Sequence, residues 1–579
     1  MFVYVMFPIG LSLLAFLQNK KLMYLSSSLF MTVLTLLSIY LFSSHEIIAI
    51  HLNETIKNII IALDVILLLY FAYIGKRENS TKIMLLALLQ LVLYLYCETH
   101  LSAFNSSDII IDKLAALMLI IINLVGSSVV IYAYKYIEHE KASKYKKVFF
   151  ISYLWFFIAV MNLVVMANNL LLFFFFFELT TLSSYLLIRF REDEISLKNA
   201  LLALWINQLG GVFLLIAISM SLHSGLPIYF SDIISGKNDI QIMIIFLAFA
   251  AFVKGATIPF ESWLLGAMVA PTPVSAILHS ATMVKIAPFL ILRLAPSFSE
   301  ATSIIISIYA AFVFFAAILK ALAKDNFKEI LAYSTIAMLA LMISIAAIGT
   351  PQSQSIVLYL IFFHALSKAI LFMCAGILEK TYAIKSIDAF ENLISKAPKL
   401  SILILLSFAS LALPPFGLFF AKVFSIQYLS TLVNANFAYI FVLIFLILGS
   451  SLMVLLYFKV TSLILVAKKS DRVHQGTSLE FLLSSYFLFA VMLFGIVIII
   501  APNLNTIVYA ILALLTLILF FILLRKLKFA KIDHATEYYC GEKDKQQIGN
   551  FYFDFADTKK AIYIVSFLFL ISLIASGVL

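Results

Sequence analysis

The chain has little charge, little cysteine and little tryptophan. Of its 579 residues only 12% are Asp, Glu, Lys or Arg, and there are three Cys and three Trp. A water-soluble domain is about 25% charged, so soluble enzymes and nucleic-acid binders are excluded. Cys97, Cys374 and Cys540 are far apart, which leaves neither a disulfide framework nor a cysteine metal site. There is no CxxC, no set of facing histidine pairs for a haem and no glycine-rich nucleotide-binding pattern. The chain is therefore expected to bind no cofactor and no metal, and to carry no redox centre of its own. Glycine (18) and proline (12) are sparse as well, so the places where they cluster are informative.

Apolar residues fill the rest. They make up 64% of the chain, with a mean hydropathy of +1.09. The runs are long and continuous, which excludes a β-barrel with its alternating strands. At ~20 residues per membrane helix, the sequence predicts an all-α polytopic membrane protein of about 18 spans. The segments run 2–17, 22–42, 58–75, 82–104, 114–136, 148–166, 169–189, 198–222, 239–257, 271–294, 301–323, 328–349, 354–378, 400–419, 434–458, 479–500, 504–524 and 561–578. Segment 2–17 lacks a basic n-region and a small-residue cleavage site, so it reads as a span and not as a signal peptide.

Basic residues test this division. Four of the 40 Lys and Arg (Lys57, Lys113, Lys237, Arg293) border the loops after even-numbered spans, and five lie inside spans. All the others border the odd-numbered loops, which the positive-inside rule places in the cytoplasm. The net charge of +10 is thus largely topological and needs no nucleic-acid partner. Residues 525–560 form the longest polar stretch. It is expected to be an ordered cytoplasmic loop, because Gly541 and Gly549 would interrupt a surface helix.

Ionisable residues inside a membrane are expensive and mark pathways. The five basic ones are Lys254, Lys285, Lys320, Lys368 and Lys422; the deep acids are Glu178 and Asp64, and the histidines are His279 and His364. A lysine can carry a proton in water and release it when desolvated, which suits a relay. Glu178 follows five phenylalanines, so its partner must come from another helix. His364 and Lys368 are spaced to share a helix face. Lys320 and Lys368 could instead snorkel to an interface, and Asp64 could be a structural hydrogen-bond partner.

Glycine and proline cluster twice inside apolar runs: Gly255, Pro259, Pro271 and Pro273, then Pro414, Pro415 and Gly417. Such breaks are tolerated at membrane depth only inside protein or beside a wet cavity. Each adjoins a lysine, Lys254 or Lys422. Discontinuous helices at corresponding places in two halves point to a transport site between inverted repeats. The division is 1–147 for N-terminal helices, 148–294 and 301–458 for two inverted five-helix repeats, and 459–579 for C-terminal helices with the polar segment.

The stretch KGATIPFESWLLGAMVAPTPVSAILHSATMVKIAPFLILR (254–293) closely resembles the antiporter-like proton-translocating membrane subunits. These include the large membrane-arm subunits of complex I, subunits of energy-converting hydrogenases and formate hydrogenlyases, and subunits of multisubunit cation/proton antiporters. FFFFFELTTLSSYLL (173–187), DNFKEILAYSTI (325–336), FFHALSKAILFMCAG (362–376) and LPPFGLFFAK (413–422) are similar to the same family. The resemblance implies that Glu178 pairs with Lys254, that Lys285 links onward through His279, His364 and Lys368, and that Lys422 ends the axis. Gly417 stands one position early, Leu360 occupies the place of a second histidine, and two spans precede the common core. The resemblance further implies a prokaryotic inner (cytoplasmic) membrane protein with other membrane subunits and a peripheral redox arm as partners. On this reading protons pass through a Glu/Lys/His axis, driven by redox chemistry elsewhere in the complex. The tail ATEYYCGEKDK inclines the reading to the hydrogenase and formate hydrogenlyase branch over complex I. The alternative is a sodium(cation)/proton antiporter subunit, in which Glu178 or Asp64 would hold the cation, although a lysine-rich axis suits protons better. A third reading, a membrane scaffold whose buried charges are inert, would leave transport intact without Lys254.

Overall fold

A chain this apolar must satisfy its backbone within each segment, and helices do so. The computed structural model describes residues 2–44, 46–101, 106–226, 228–235, 241–391, 393–465, 479–500 and 558–578. Fourteen of its helices are long and apolar enough to cross a membrane, and three shorter apolar helices (Phe2–Leu17, Gln241–Lys254, Phe481–Ile496) accompany them. The chain is an all-α multi-pass membrane protein. Every expected span on described residues contains a helix. Segment 504–524, the polar stretch to residue 557 and Cys540 lie outside the described residues.

Helix starts follow from local chemistry. Asn169 accepts from the Leu171 and Leu172 amides to begin Leu170–Ile188, and Asn326 accepts from the Lys328 and Glu329 amides to begin Phe327–Ala346. Thr350 and Ser353 form a reciprocal cap, with Pro351 in the first turn, for Pro351–Thr381. Each satisfies amides that a helix leaves open.

Ion pairs report the sidedness independently of composition. Arg191 meets Glu140 and Glu379, Lys328 meets Glu379, Lys380 meets Glu140, Lys459 meets Asp325 and Lys20 meets Glu138. All of these join odd-loop ends. At the opposite end Arg293 pairs with Asp112, and Lys57 with Asp108. A short antiparallel ribbon, Ile48–Ile50 with Ile109–Ile111, lies at this even end.

Several span boundaries differ from the sequence reading: 271–294 is broken between Thr272–Ser280 and Ile286–Leu294, and 400–419 departs furthest. The expected span 400–419 is two helices, Pro398–Ala412 and Gly417–Ala435, separated by the Pro414–Pro415 break. At 1.5 Å per residue they total about 50 Å, too long for a straight crossing of ~30 Å. The topology is nevertheless that of one crossing. Lys399 starts it on the odd side, and Asn436 ends it on the even side, donating to Glu300 at 2.9 Å.

The helices Glu54–Arg77 and Thr81–Thr99 form a hairpin against Leu170–Ile188 and Glu194–His223. Gly75 permits the tight return, because a Cβ there would strike the Met84 backbone. The hairpin's outer face, with Ile59, Leu63, Ile66, Leu85 and Val92, is exposed and apolar, as a lipid-facing surface must be. The last helix, Thr558–Val578, packs on Gln241–Lys254 and Glu300–Leu322.

Candidate functional site: a buried line of lysines and histidines

A lysine inside a bundle needs acceptors for its ammonium protons. Lys254 is fully buried at the end of Gln241–Lys254. It donates to the hydroxyls of Thr181 (2.8 Å) and Thr180 (3.0 Å) and to the Phe177 carbonyl (3.1 Å). Its Nζ also lies 4.1 Å from the centre of the Phe177 ring. All three partner residues sit on the Glu178 helix, yet Glu178 itself makes no ion pair with Lys254. Instead, Gln90 of the hairpin donates to Glu178 Oε1 at 3.0 Å and to the Gln208 carbonyl at 2.9 Å, while Glu178 Oε2 has no hydrogen-bond partner. Gly211 leaves the room, since a Cβ there would overlap both Glu178 Oε1 and Gln90 Nε2.

The helix stops after Lys254. Gly255 packs where a Cβ would press on Ala287, and Ala256 takes a positive φ of 50°. The freed carbonyls find donors: Trp263 Nε1 on Val253 O (2.9 Å) and Tyr309 OH on Ile258 O (2.7 Å). Pro259 lies within this break, and Pro271 and Pro273 lead into the helix Thr272–Ser280, which carries His279. His279 is buried with neither ring nitrogen bonded, and its ring lies 4.8 Å from that of Phe372.

Lys285 and His364 meet across helices, with Nζ 2.5 Å from Nδ1. Lys368, halfway along Pro351–Thr381, donates to Ser334 Oγ (2.5 Å) and Leu331 O (3.0 Å). Spacing alone would join His364 to Lys368; the fold joins His364 to Lys285. Lys422, beside the second break with Pro414, Pro415 and Gly417, donates to Leu411 O at 2.7 Å. Ser410 precedes that leucine and bonds Ser367, the neighbour of Lys368, at 2.7 Å. The two serines thus tie the helix that carries Lys368 to the segment that holds Lys422. Lys254, Lys285, Lys368 and Lys422 have no ion-pair partner among the described residues. Electrostatics links Glu178 with Lys254, and Lys368 with Lys285, His279 and His364, so a proton gained or lost within either group changes the field on its neighbours.

Lys320 differs. It pairs with buried Glu261 at 3.1 Å, and Tyr563 of the last helix donates to the same oxygen at 2.5 Å. Its ammonium lies over the Tyr563 ring, 4.7 Å from the centroid, so it does not snorkel. Gln90, Tyr563 and Ser410 carry no signal in the sequence, and Glu261, Thr180, Thr181 and Ser334 stand in the family-like stretches with nothing to mark them as partners of a charge. They look like ordinary polar residues until distant helices bring them to a lysine or to Glu178.

At the odd end a cavity of about 520 Å³ is lined by Arg191, Asp193, Lys328, Glu379 and Lys385, and it reaches Ala375 on the Lys368 helix. Beside it burial disfavours the Glu140 carboxylate, but the hydrogen bonds and charges of Arg191 and Lys380 outweigh this and hold Glu140 below the usual carboxylate range. A depressed folded-state value means stabilisation that is present at neutral pH and lost as pH falls through it. Glu140→Gln is expected to cost about 1 kcal/mol at pH 7, the side chain being only partly buried. Thermal unfolding in detergent should show the difference shrinking below about pH 4; a difference independent of pH would contradict the assignment.

Fold and site together define a multi-pass helical bundle with a row of buried bases between two discontinuous helices. Known proteins are similar to the chain in sequence and in fold. Residues 167–453 match the family described as NADH:quinone oxidoreductase/Mrp antiporter, transmembrane. Residues 105–147 match NADH-ubiquinone oxidoreductase (complex I), chain 5 N-terminus. The chain belongs to the antiporter-like family of membrane subunits. It is 30% identical over 355 residues to Na(+)/H(+) antiporter subunit A1 of Staphylococcus haemolyticus, covering 57% of this chain and 43% of that protein. It is 33% identical over 333 residues to the putative antiporter subunit mnhA2 of Staphylococcus epidermidis, covering 53% and 41%. The chain thus spans less than half the length of these curated relatives. In fold it is similar to a chain of the Mrp complex from Dietzia sp. DQ12-45-1b, with TM-score 0.56, 20% identity and coverage of 71% and 82%. A chain of the membrane-bound sulfane sulfur reductase, an archaeal respiratory membrane complex, gives TM-score 0.60, 18% identity and coverage of 76% and 94%.

Proposed function

We propose that the chain is a proton-translocating subunit of a multisubunit membrane complex in a prokaryotic inner membrane. One observation carries the reading: four fully or almost fully buried lysines rest on hydroxyls, carbonyls and an imidazole, without carboxylate partners. Each can exchange a proton along hydrogen bonds, and none offers the oxygen cage a metal cation requires. Among the described residues no three His, Cys, Asp or Glu side chains come close enough to hold a metal ion. Redox chemistry would belong to partner subunits and a peripheral arm, this chain binding no cofactor. The second reading, a cation/proton antiporter subunit, is favoured by the names of the curated relatives. Tracer sodium flux in proteoliposomes of the intact complex separates the two. Under an imposed proton gradient we expect no sodium uptake, together with proton movement coupled to redox turnover of the complex. Gradient-driven sodium uptake would replace the first reading with the second.

A further inference from the structure

The hairpin Glu54–Arg77 and Thr81–Thr99 carries acids that the lysine line does not use. Asp64 is fully buried, and neither carboxylate oxygen makes a hydrogen bond. It lies within electrostatic reach of Glu178 on one side and Glu98 on the other. The buried Tyr94 lies within electrostatic reach of both Asp64 and Glu98. Glu98 is one helical turn beyond Tyr94 and only half-buried, beside the exposed Thr99 and His100 at the even end.

Two further groups stand open at the inner end. Glu178 Oε2 has no partner, and neither has the buried side-chain amide of Gln208, the residue whose backbone carbonyl holds Gln90. Leaving buried polar groups unsatisfied is costly, and each such group needs a reason. Packing does not supply one, because the hairpin is already closed by its apolar residues. A metal clamp does not supply one either, because these carboxyls do not converge. Carboxyl and phenol groups in succession, from a half-buried end to a fully buried one, are suited to passing a proton.

We propose that Glu98, Tyr94 and Asp64 form an access path by which protons reach Glu178 from the even-loop face. The proposal rests on the reading of Glu178 as part of the proton line. A proton on Glu98 passes to the phenol oxygen as the phenol's own hydrogen passes to Asp64, each transfer made when side-chain rotation or one intervening water closes a hydrogen bond that is open here. One proton leaves Glu98, one arrives at Asp64, and Tyr94 is restored when its O–H turns back. Asp64 then donates to Glu178, whose Oε2 is open, and Gln90 keeps the other oxygen in place.

The test uses the full chain in its native complex, in membrane vesicles whose proton uptake is followed with a pH-quenched dye. Tyr94→Phe removes one oxygen and keeps the ring; Asp64→Asn keeps the shape and removes the titrating group. Both are expected to slow proton movement about tenfold or more, with the amount of assembled complex unchanged, and Asp64→Glu to restore most of the rate. Tyr94→Phe and Asp64→Asn at the unsubstituted rate, alongside an inactive Lys254→Met, would overturn the path and leave the lysine line standing. Lys254→Met at the unsubstituted rate would overturn the line itself. Should Asp64→Asn fail to assemble, Tyr94→Phe decides alone.

Discussion

Lys254→Met stops proton movement by the assembled complex, with the initial rate in vesicles falling about 100-fold or more while the chain stays in the membrane at its normal level. The substitution keeps the bulk of an unbranched side chain and opens no large cavity. It also strands little. Thr180 and Thr181 already donate to the Phe177 carbonyl at 2.7 and 3.3 Å, so both hydroxyls keep a bond when the ammonium is gone. Loss of rate with assembly intact therefore reports the missing amine and not a damaged fold. Lys254→Arg sharpens the point. Arginine keeps the charge but does not release its proton at accessible pH, so a pathway that needs a titrating group loses the rate here too. A purely electrostatic role would instead be rescued by Lys254→Arg, because the positive charge is retained. Transport surviving in Lys254→Met would make the buried charge a scaffold feature.

The second large effect is at the Lys285–His364 contact. Lys285→Met and His364→Leu each lower the rate about 100-fold, and the double variant is no slower than the worse single one. The reason is geometric. With Nζ and Nδ1 2.5 Å apart, the two groups act as one station, and removing either breaks the same link. Residues that act as a unit are not additive. Multiplication of the two effects would instead show two groups that act independently. His279, whose ring nitrogens have no bonded partner, should not show this coupling to Lys285.

How far the sequence leads can be judged at individual residues. Spans, sidedness and both breaks are legible because each is local. A run of apolar residues fills a bilayer, loop lysines stay on one side, and Gly255, Pro259, Pro414 and Pro415 interrupt a helix wherever it lies. The second half of the broken span, Gly417–Ala435, is longer than its apolar run to residue 419 indicates; the helix continues by turning Gln427 and Ser430 outward. The partners of the buried charges are not legible in this way. Sequence spacing suggests His364 with Lys368, and resemblance suggests Glu178 with Lys254. The structure gives His364 to Lys285, and it sets Gln90 on the Glu178 carboxylate while Lys254, within electrostatic reach of Glu178, bonds Thr180 and Thr181.

The sequence by itself determined that this is a multi-pass helical membrane protein with lysines where lysines are costly, because the bilayer imposes those patterns residue by residue. Only the tertiary structure decided what each lysine touches. Gln90 and Glu178 are 88 residues apart, Glu261 and Tyr563 are 302 apart, and no local periodicity encodes which helix faces will meet. That choice belongs to packing, where a missing Cβ at Gly211 and at Gly255 lets polar groups and backbones approach closely enough to define the path.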